Sequence, residues 1–250
     1  MCRYSYKVEL TVRPDEVDRN GLCTVRSLCN YFQYAAYLHA DSLDFGVDSL
    51  GRSGQTWVLT RLYVDVRRPP RFGERVTVET WPAGVEKLFA LRDFRLSDAA
   101  GTPVALGVSS WCVISLEARR IVRPPEELAR FSSNPRSTAR ALDKIEPLRR
   151  TPPLIKNLDV RYRDIDVNRH VNNVSFIEWM CEAVPYDLQA ESFCRELEVN
   201  FLKEAFFGDT ILSFAAPLGD GNHSFHHALR RQAEEEDIAR AVSRWEKLGG

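Results

Sequence analysis

A chain of 250 residues is long enough for one large domain or two small ones with ample core, and 44% hydrophobic content is ordinary for a globular protein. A formal net charge of −1 gives no global attraction to nucleic acid or an anionic membrane, so a charged partner must meet a local patch. The six cysteines (Cys2, Cys23, Cys29, Cys112, Cys181, Cys194) form no C-x-x-C pair and suit neither a zinc site nor a disulfide scaffold.

The opening "MCRYSYKVELTV" has no apolar leader core and reads at once as a strand. No run is long enough to span a bilayer. A cytoplasmic protein is expected, with free thiols that are mostly core residues. Leu28, Tyr31, Phe32, Ala35 and His39 recur at helical spacing and predict an amphipathic helix. Extended runs at 56–68, 75–83, 87–97 and 103–115 follow, punctuated by Gly73, Gly84 and Gly101. Residues 131–153 are polar, basic and proline-marked, and read as a linker. The pattern then restarts: a helix near 173–184, then strand-like runs at 194–205, 209–217, 224–233 and 237–247.

The halves align. With a shift of 148 positions, Asp18 falls on Asp166, Asn20 on Asn168, Leu28 on Phe176 and Phe32 on Met180. With a shift of 135, Leu62 meets Leu197, Val64 meets Val199, Phe72 meets Phe207 and Gly73 meets Gly208. Trp111 meets Trp245 near the end. A helix followed by consecutive strands predicts an α+β fold with an antiparallel sheet in each half, not a βαβ fold. The expected organisation is 1–130, a linker at 131–153, and 154–250. The repeat is unequal where chemistry would sit: Leu22 stands for His170, and Pro69 for Glu204.

The segment "DIDVNRHVNN" (164–173) packs carboxylates, amides and a histidine just ahead of the apolar run "VSFIEWMCEAV". The bland reading is a polar loop capping a helix; the sharp one is a reaction centre. Asp166, Asn168 and His170 are spaced by two and would share one face of an extended segment, as would Asp164. Asn168 recurs as Asn20, which favours a turn as much as catalysis. Glu16 stands at the place of Asp164, which suits capping or packing. His170 lacks a counterpart in the first half, which favours chemistry. Glu204 beside Lys203 could be a plain solvated strand end. Asn172 and Asn173 read as helix caps rather than reactants.

"RYRDIDVNRHVNNVSFIEWMCEAVP" resembles the signature of the acyl-acyl-carrier-protein thioesterases, and "LEVNFLKEAFFGD" resembles their second motif, a strand ending in an acid. The likeness runs over nearly the whole chain. It implies a tandem double hot-dog, each unit an antiparallel sheet wrapped around a central helix. The first unit would shape the acyl pocket and the second would be catalytic. The implied activity is hydrolysis of fatty acyl-carrier protein to free fatty acid, ending fatty acid synthesis, with no cofactor and no metal. Asp166, Asn168, His170 and Glu204 match the family's catalytic positions. Plant members carry a cysteine directly after that acid; here it is Ala205, which removes a cysteine mechanism at that site. The absence of a transit peptide resembles the bacterial type.

Thioester hydrolysis needs an attacking oxygen, a base and donors for the developing oxyanion. Asp166 and Glu204 are the candidate carboxylates, either to attack or to activate water. Asn168 and His170 could donate to the carbonyl or orient water. Backbone N–H groups around Asn172 to Val174 are expected to be open at the helix N-terminus and to serve as oxyanion donors. Cys181 falls on the apolar helix face and reads as a core thiol. On a strand, His226 and His227 of "HSFHH" point to opposite faces, which argues against a metal site. The run Glu234–Asp237 reads as an exposed hairpin turn.

Acyl-carrier proteins are acidic, so a local basic surface is expected. The candidates are Arg136, Arg140, Lys144, Arg149 and Arg150 in the linker, and Arg67, Arg68 and Arg71 in the first unit. Neither nucleic acid nor membrane insertion is expected as a partner, and a homodimer stays open. Two rivals share the fold: an acyl-CoA thioesterase and a non-catalytic acyl-binding protein.

Overall fold

The structure is a computed structural model that describes residues 4–131, 134–148, 154–219, 223–234 and 236–249. It divides into two compact units: Met1–Cys23 with Ser27–Leu142, and Thr24–Arg26 with Asp143–Gly250. Each is α+β, and together they make a double hot-dog.

The first unit contains β1 (Tyr6–Thr11), α1 (Val25–Ser42), α2 (Val47–Arg52), β2 (Gln55–Val66), β3 (Arg75–Glu86), β4 (Phe89–Asp98), β5 (Pro103–Ser115) and β6 (Arg120–Val122). Its strands are antiparallel in the order β1-β3-β4-β5-β2, with β6 on the end of β5. Alternation builds β3: Val76, Val78 and Thr80 turn inward and are buried, while Arg75, Thr77 and Glu79 turn outward. Their partner in the core is α1, whose Leu28, Phe32 and Ala35 are fully buried. Phe32 stacks on Phe94 at 4.8 Å. It also lies over Gly107 of β5, where a Cβ would come within 2.6 Å of the ring. The glycine lets helix and sheet approach.

The second unit repeats the plan with β7 (Leu154–Asp159), α3 (Asn173–Glu182), α4 (Tyr186–Glu191), β8 (Ser192–Phe201), β9 (Thr210–Pro217), β10 (Ser224–Arg231) and β11 (Asp237–Lys247). The order β7-β9-β10-β11-β8 matches the first unit strand for strand. In α3, Phe176, Ile177, Trp179 and Met180 are buried. The Trp179 carbonyl accepts from Ser213 Oγ of β9 at 2.7 Å. Asn172 caps this helix through its side-chain oxygen, and Pro185 follows just beyond its end.

The predicted correspondence extends to individual bonds. Val12 N–H donates to Glu74 O, and Val160 N–H to Asp209 O. Cys23 N–H donates to Pro70 O, and Val171 N–H to Ala205 O. Trp111 Nε1 donates to Ser109 Oγ, and Trp245 Nε1 to Ser243 Oγ.

Two expectations need correction, and the stretch read as a linker is hydrogen-bonded to strands where it is described. Trp81 Nε1 donates to Pro135 O at 2.7 Å, Asn134 Nδ2 to Pro82 O at 2.7 Å, and Arg136 binds the fully buried Asp93 at 3.1 Å. Further on, Asn200 holds Ile145 N–H and Asp143 O within the second unit. Positions 132–133 and 149–153 lie outside the described residues, and with them Arg149 and Arg150; so does Cys2. The acidic run is not wholly an exposed turn: Asp237 is buried on β11 between Arg230 and Arg240, at 2.6 and 2.7 Å. Glu204 does not end a strand, because β8 stops at Phe201 and leaves the acid in the following loop.

Candidate active site

Two loops of the second unit meet. One runs from β7 through a single 3-10 turn at Tyr162–Asp164 to the start of α3; the other joins β8 to β9. The bonds Val171 N–H to Ala205 O and Val160 N–H to Asp209 O lace them together at 2.9 Å each. That lacing brings His170 Nδ1 to 3.3 Å from Glu204 Oε1. Phe206 packs edge-on against the imidazole, with ring centroids 5.2 Å apart.

Asp166 governs the turn rather than reaching across it. Its Oδ1 accepts from Asn168 N–H at 2.8 Å and from His170 N–H at 3.4 Å. Its own N–H donates to His170 O at 2.8 Å, and its carbonyl accepts from Arg169 N–H. This is an Asx-type turn, closed by Arg169 in the left-handed region at φ +66°. The extended segment expected from the two-residue spacing is therefore absent. Asp166 is half-buried, and its second oxygen has no hydrogen-bond partner among the described residues. The Asn168 side chain is exposed and likewise makes no hydrogen bond among them.

The first unit builds the same turn without the histidine. Asp18 Oδ1 accepts from Asn20 N–H at 2.8 Å and Leu22 N–H at 3.0 Å, and Gly21 closes it at φ +70°. The aspartate position thus has a structural duty in both units, and the asparagine position enters the turn through its backbone N–H. Asp164 has one too: it is buried and accepts from Arg161 N–H at 2.8 Å and from its guanidinium, as Glu16 does from Arg13.

The oxyanion donors expected at the α3 N-terminus are largely spoken for. Asn172 N–H donates to Asp164 O, Val174 N–H to Asn172 Oδ1, and Ser175 N–H to Asn172 O.

Sequence reading missed the group that fixes Glu204. Arg231, from β10, donates to Glu204 O and to Asp209 Oδ2, each at 2.9 Å, and also pairs with Glu234. Only the β9–β10 register brings it there, so no local spacing announces it. Phe206 could have been found, since it stands in the quoted "FFGD" of the second motif.

The competing nucleophile reading fares poorly. Burial first, and then Glu182 and Glu178, push the Cys181 thiol up to about 12. His227 is buried against Ser243 at 2.8 Å, and desolvation, then His226, lowers it to about 3. His226 is also lowered, chiefly by burial. No group of three potential ligands able to hold a metal occurs among the described residues. Ala205 is fully buried with no reactive side chain.

Among the described residues no helix is long and apolar enough to cross a membrane. Residues 3–131 match the acyl-ACP thioesterase N-terminal domain, and residues 149–247 the acyl-ACP thioesterase C-terminal domain. The chain is 27% identical, over 96% of its length, to the chloroplastic acyl-[acyl-carrier-protein] hydrolase FATB3 of Cuphea viscosissima, of which it spans 62%. It is 26% identical to the chloroplastic oleoyl-acyl carrier protein thioesterase 1 of Arabidopsis thaliana, over 97% of its own length and 76% of that protein. Among solved structures it resembles an acyl-ACP thioesterase from Bacteroides thetaiotaomicron, with a TM-score of 0.88, 27% identity, and 97% and 98% of the two chains covered. The fold is shared with the 12:0-ACP thioesterase of Umbellularia californica at a TM-score of 0.84, 23% identity, and 98% and 95% coverage. With both of its halves matched in order, the chain belongs to the acyl-ACP thioesterase family.

Proposed function

We propose that this protein hydrolyses the thioester of fatty acyl-carrier protein and so ends fatty acid synthesis. The observation that carries the reading is the His170–Glu204 pair at 3.3 Å. It is built at two positions where the first unit, with the same scaffold, has Leu22 and Pro69. Glu204 orients the imidazole through Nδ1, and the other ring nitrogen is left to hold the attacking water. Water adds to the thioester carbonyl carbon, its proton passes to the base, and the C–S bond breaks. The departing thiolate then takes the proton. In the carboxylate-based form of this mechanism Asp166, at the turn, takes the water's proton in place of the imidazole, and Asn168 completes the set. The second unit is the catalytic one, and the first, from 1 to 130, shapes the acyl pocket. A cytoplasmic location belongs to the same proposal, and fractionation tests it.

The test is release of free fatty acid from acyl-carrier proteins of varied chain length, alongside matched acyl-CoA substrates. Preference for the carrier substrate supports the reading. Equal or better hydrolysis of acyl-CoA would favour the acyl-CoA rival. Tight acyl binding without turnover would make the protein a binding module.

A further inference from the structure

We propose that Tyr162, Arg163, Val167 and Arg169, on the exposed rim of the His170 loop, form the docking surface for the acidic carrier protein that presents the acyl chain. The inference rests on the thioesterase reading and assigns the partner's contact face. The first unit supplies an internal control, because its turn has the same backbone bonds: Asp18 N–H to Leu22 O and Gly21 N–H to Asp18 O, matching Asp166 N–H to His170 O and Arg169 N–H to Asp166 O. What differs is what the rim displays. Pro14, Asp15, Arg19 and Gly21 occupy the places of Tyr162, Arg163, Val167 and Arg169. One acid and one glycine have given way to arginines, and a proline and an arginine to large apolar side chains.

Arg169 is the sharpest of these differences. Both turns need a left-handed residue at this position, φ +70° at Gly21 and φ +66° at Arg169. Glycine adopts that conformation freely, whereas arginine is strained in it. The strain is kept at the residue directly before His170. Nothing in the fold uses the side chain: neither Arg163 nor Arg169 has a side-chain hydrogen bond or ion pair among the described residues, and both are exposed. Nearby cations are otherwise engaged, Arg161 by Asp164, Lys203 by Glu236 and Arg231 by Asp209. On the same loop as the free arginines stand exposed apolar groups: Tyr162 is 85% exposed and Val167 96%. Apolar anchors flanked by unpaired cations complement an acidic protein surface. Of the basic residues expected from the sequence, Arg136 is tied to Asp93, Arg68 to Glu74 and Arg67 to Asp65, and Arg140 lies over Tyr63, which leaves Arg71 and Lys144 exposed.

The experiment compares wild type with Arg163→Glu/Arg169→Glu and with Arg169→Gly, which copies the first unit's turn. Steady-state kinetics are run on acyl-carrier protein and on the N-acetylcysteamine thioester of the same acid, and carrier affinity is measured by calorimetry. The double reversal should weaken carrier affinity and raise its KM by about tenfold or more at low salt, with the gap closing at high salt. The small thioester should not share that loss. Arg169→Gly should fold with Tm unchanged or higher while still weakening the carrier by several-fold. Lys87→Glu, on the β3–β4 hairpin, is the matched control and should change neither substrate. Unchanged carrier affinity, or equal losses on both substrates, would overturn the proposal. So would a change of oligomeric state in sedimentation, which would assign the face to a second copy of the chain. If wild type hydrolysed no thioester, the functional reading would fail separately, and the calorimetry would still decide the docking surface.

Discussion

Asp166 and Asp18 make the same turn, yet only one stands next to a histidine, so the aspartate's structural and chemical duties can be separated. Asp166→Asn keeps a side-chain oxygen for the Asn168 N–H and removes the charge. It should leave Tm nearly unchanged while lowering turnover on the order of 10²–10⁴-fold, the usual effect of losing an acid–base group. Full activity in Asp166→Asn, with loss only in Asp166→Ala, would reduce the residue to a turn former. Glu204→Gln and His170→Ala should fall in the same range, whereas Cys181→Ser should keep most activity, because a thiol held near 12 is not ionised at neutral pH. Two buried histidines set an acid limit on stability. Burial, helped by Arg92, lowers His39 to about 3, and His227 is lowered to about 3 as well. Unfolded histidine titrates at about 6.5, so the unfolded chain takes up these protons first. Their contribution is complete above about pH 6.5 and is lost as pH falls toward 3. Tm measured against pH should decline over that window, and His39→Gln/His227→Gln should flatten the decline; an unaltered slope would refute the assignment.

Besides the Val171–Ala205 lacing, Arg231 reaches the β8–β9 loop from β10 and holds the Glu204 carbonyl. Arg231→Ala should let the loop drift and lower kcat by up to about 10²-fold, the scale expected for misplacement of roughly 1 Å. Arg231→Lys should recover part of it. An unaffected kcat would show that the Val171–Ala205 lacing suffices. The helix–sheet contact of the first unit has a comparable single point. Gly107→Ala would drive a methyl into the Phe32 ring, so a loss of about 1–3 kcal/mol is expected in chemical denaturation. Phe32→Ala should cost about 3–5 kcal/mol by leaving a cavity. Neither the arginine nor the glycine carries a local sequence signal. Both matter because strand register sets what lies opposite them.

For the molecule as a whole, the first unit repeats the scaffold and has Leu22 and Pro69 in place of the His170–Glu204 pair, which leaves it free to shape a pocket. If it does, volume changes at Leu28 or Phe32 that the fold survives should shift the released fatty acids by several-fold between neighbouring chain lengths. One methylene in a pocket is worth roughly 1 kcal/mol. Product profiles from folded variants decide this, and an unchanged distribution across several of them would leave the first unit as scaffold alone.

The sequence by itself determined the repeat, the α+β class, the helix cores and the absence of His170 and Glu204 from the first half; that these two meet came from the structure. Hydrophobic periodicity and self-alignment are local or one-dimensional properties, and they survive without coordinates. Tertiary structure alone decided that 164–171 is a turn rather than an extended face, because an aspartate side chain competing for backbone N–H groups leaves no hydrophobic pattern to read. It alone showed that the N–H groups of Asn172 and Val174 are already engaged, since one acceptor is a carbonyl eight residues away. The same holds for the linker, whose composition marks a connector but does not show that its backbone satisfies Trp81, Asp93 and Asn200. Long-range partners of buried polar groups are set by packing, and packing is what a single sequence does not display.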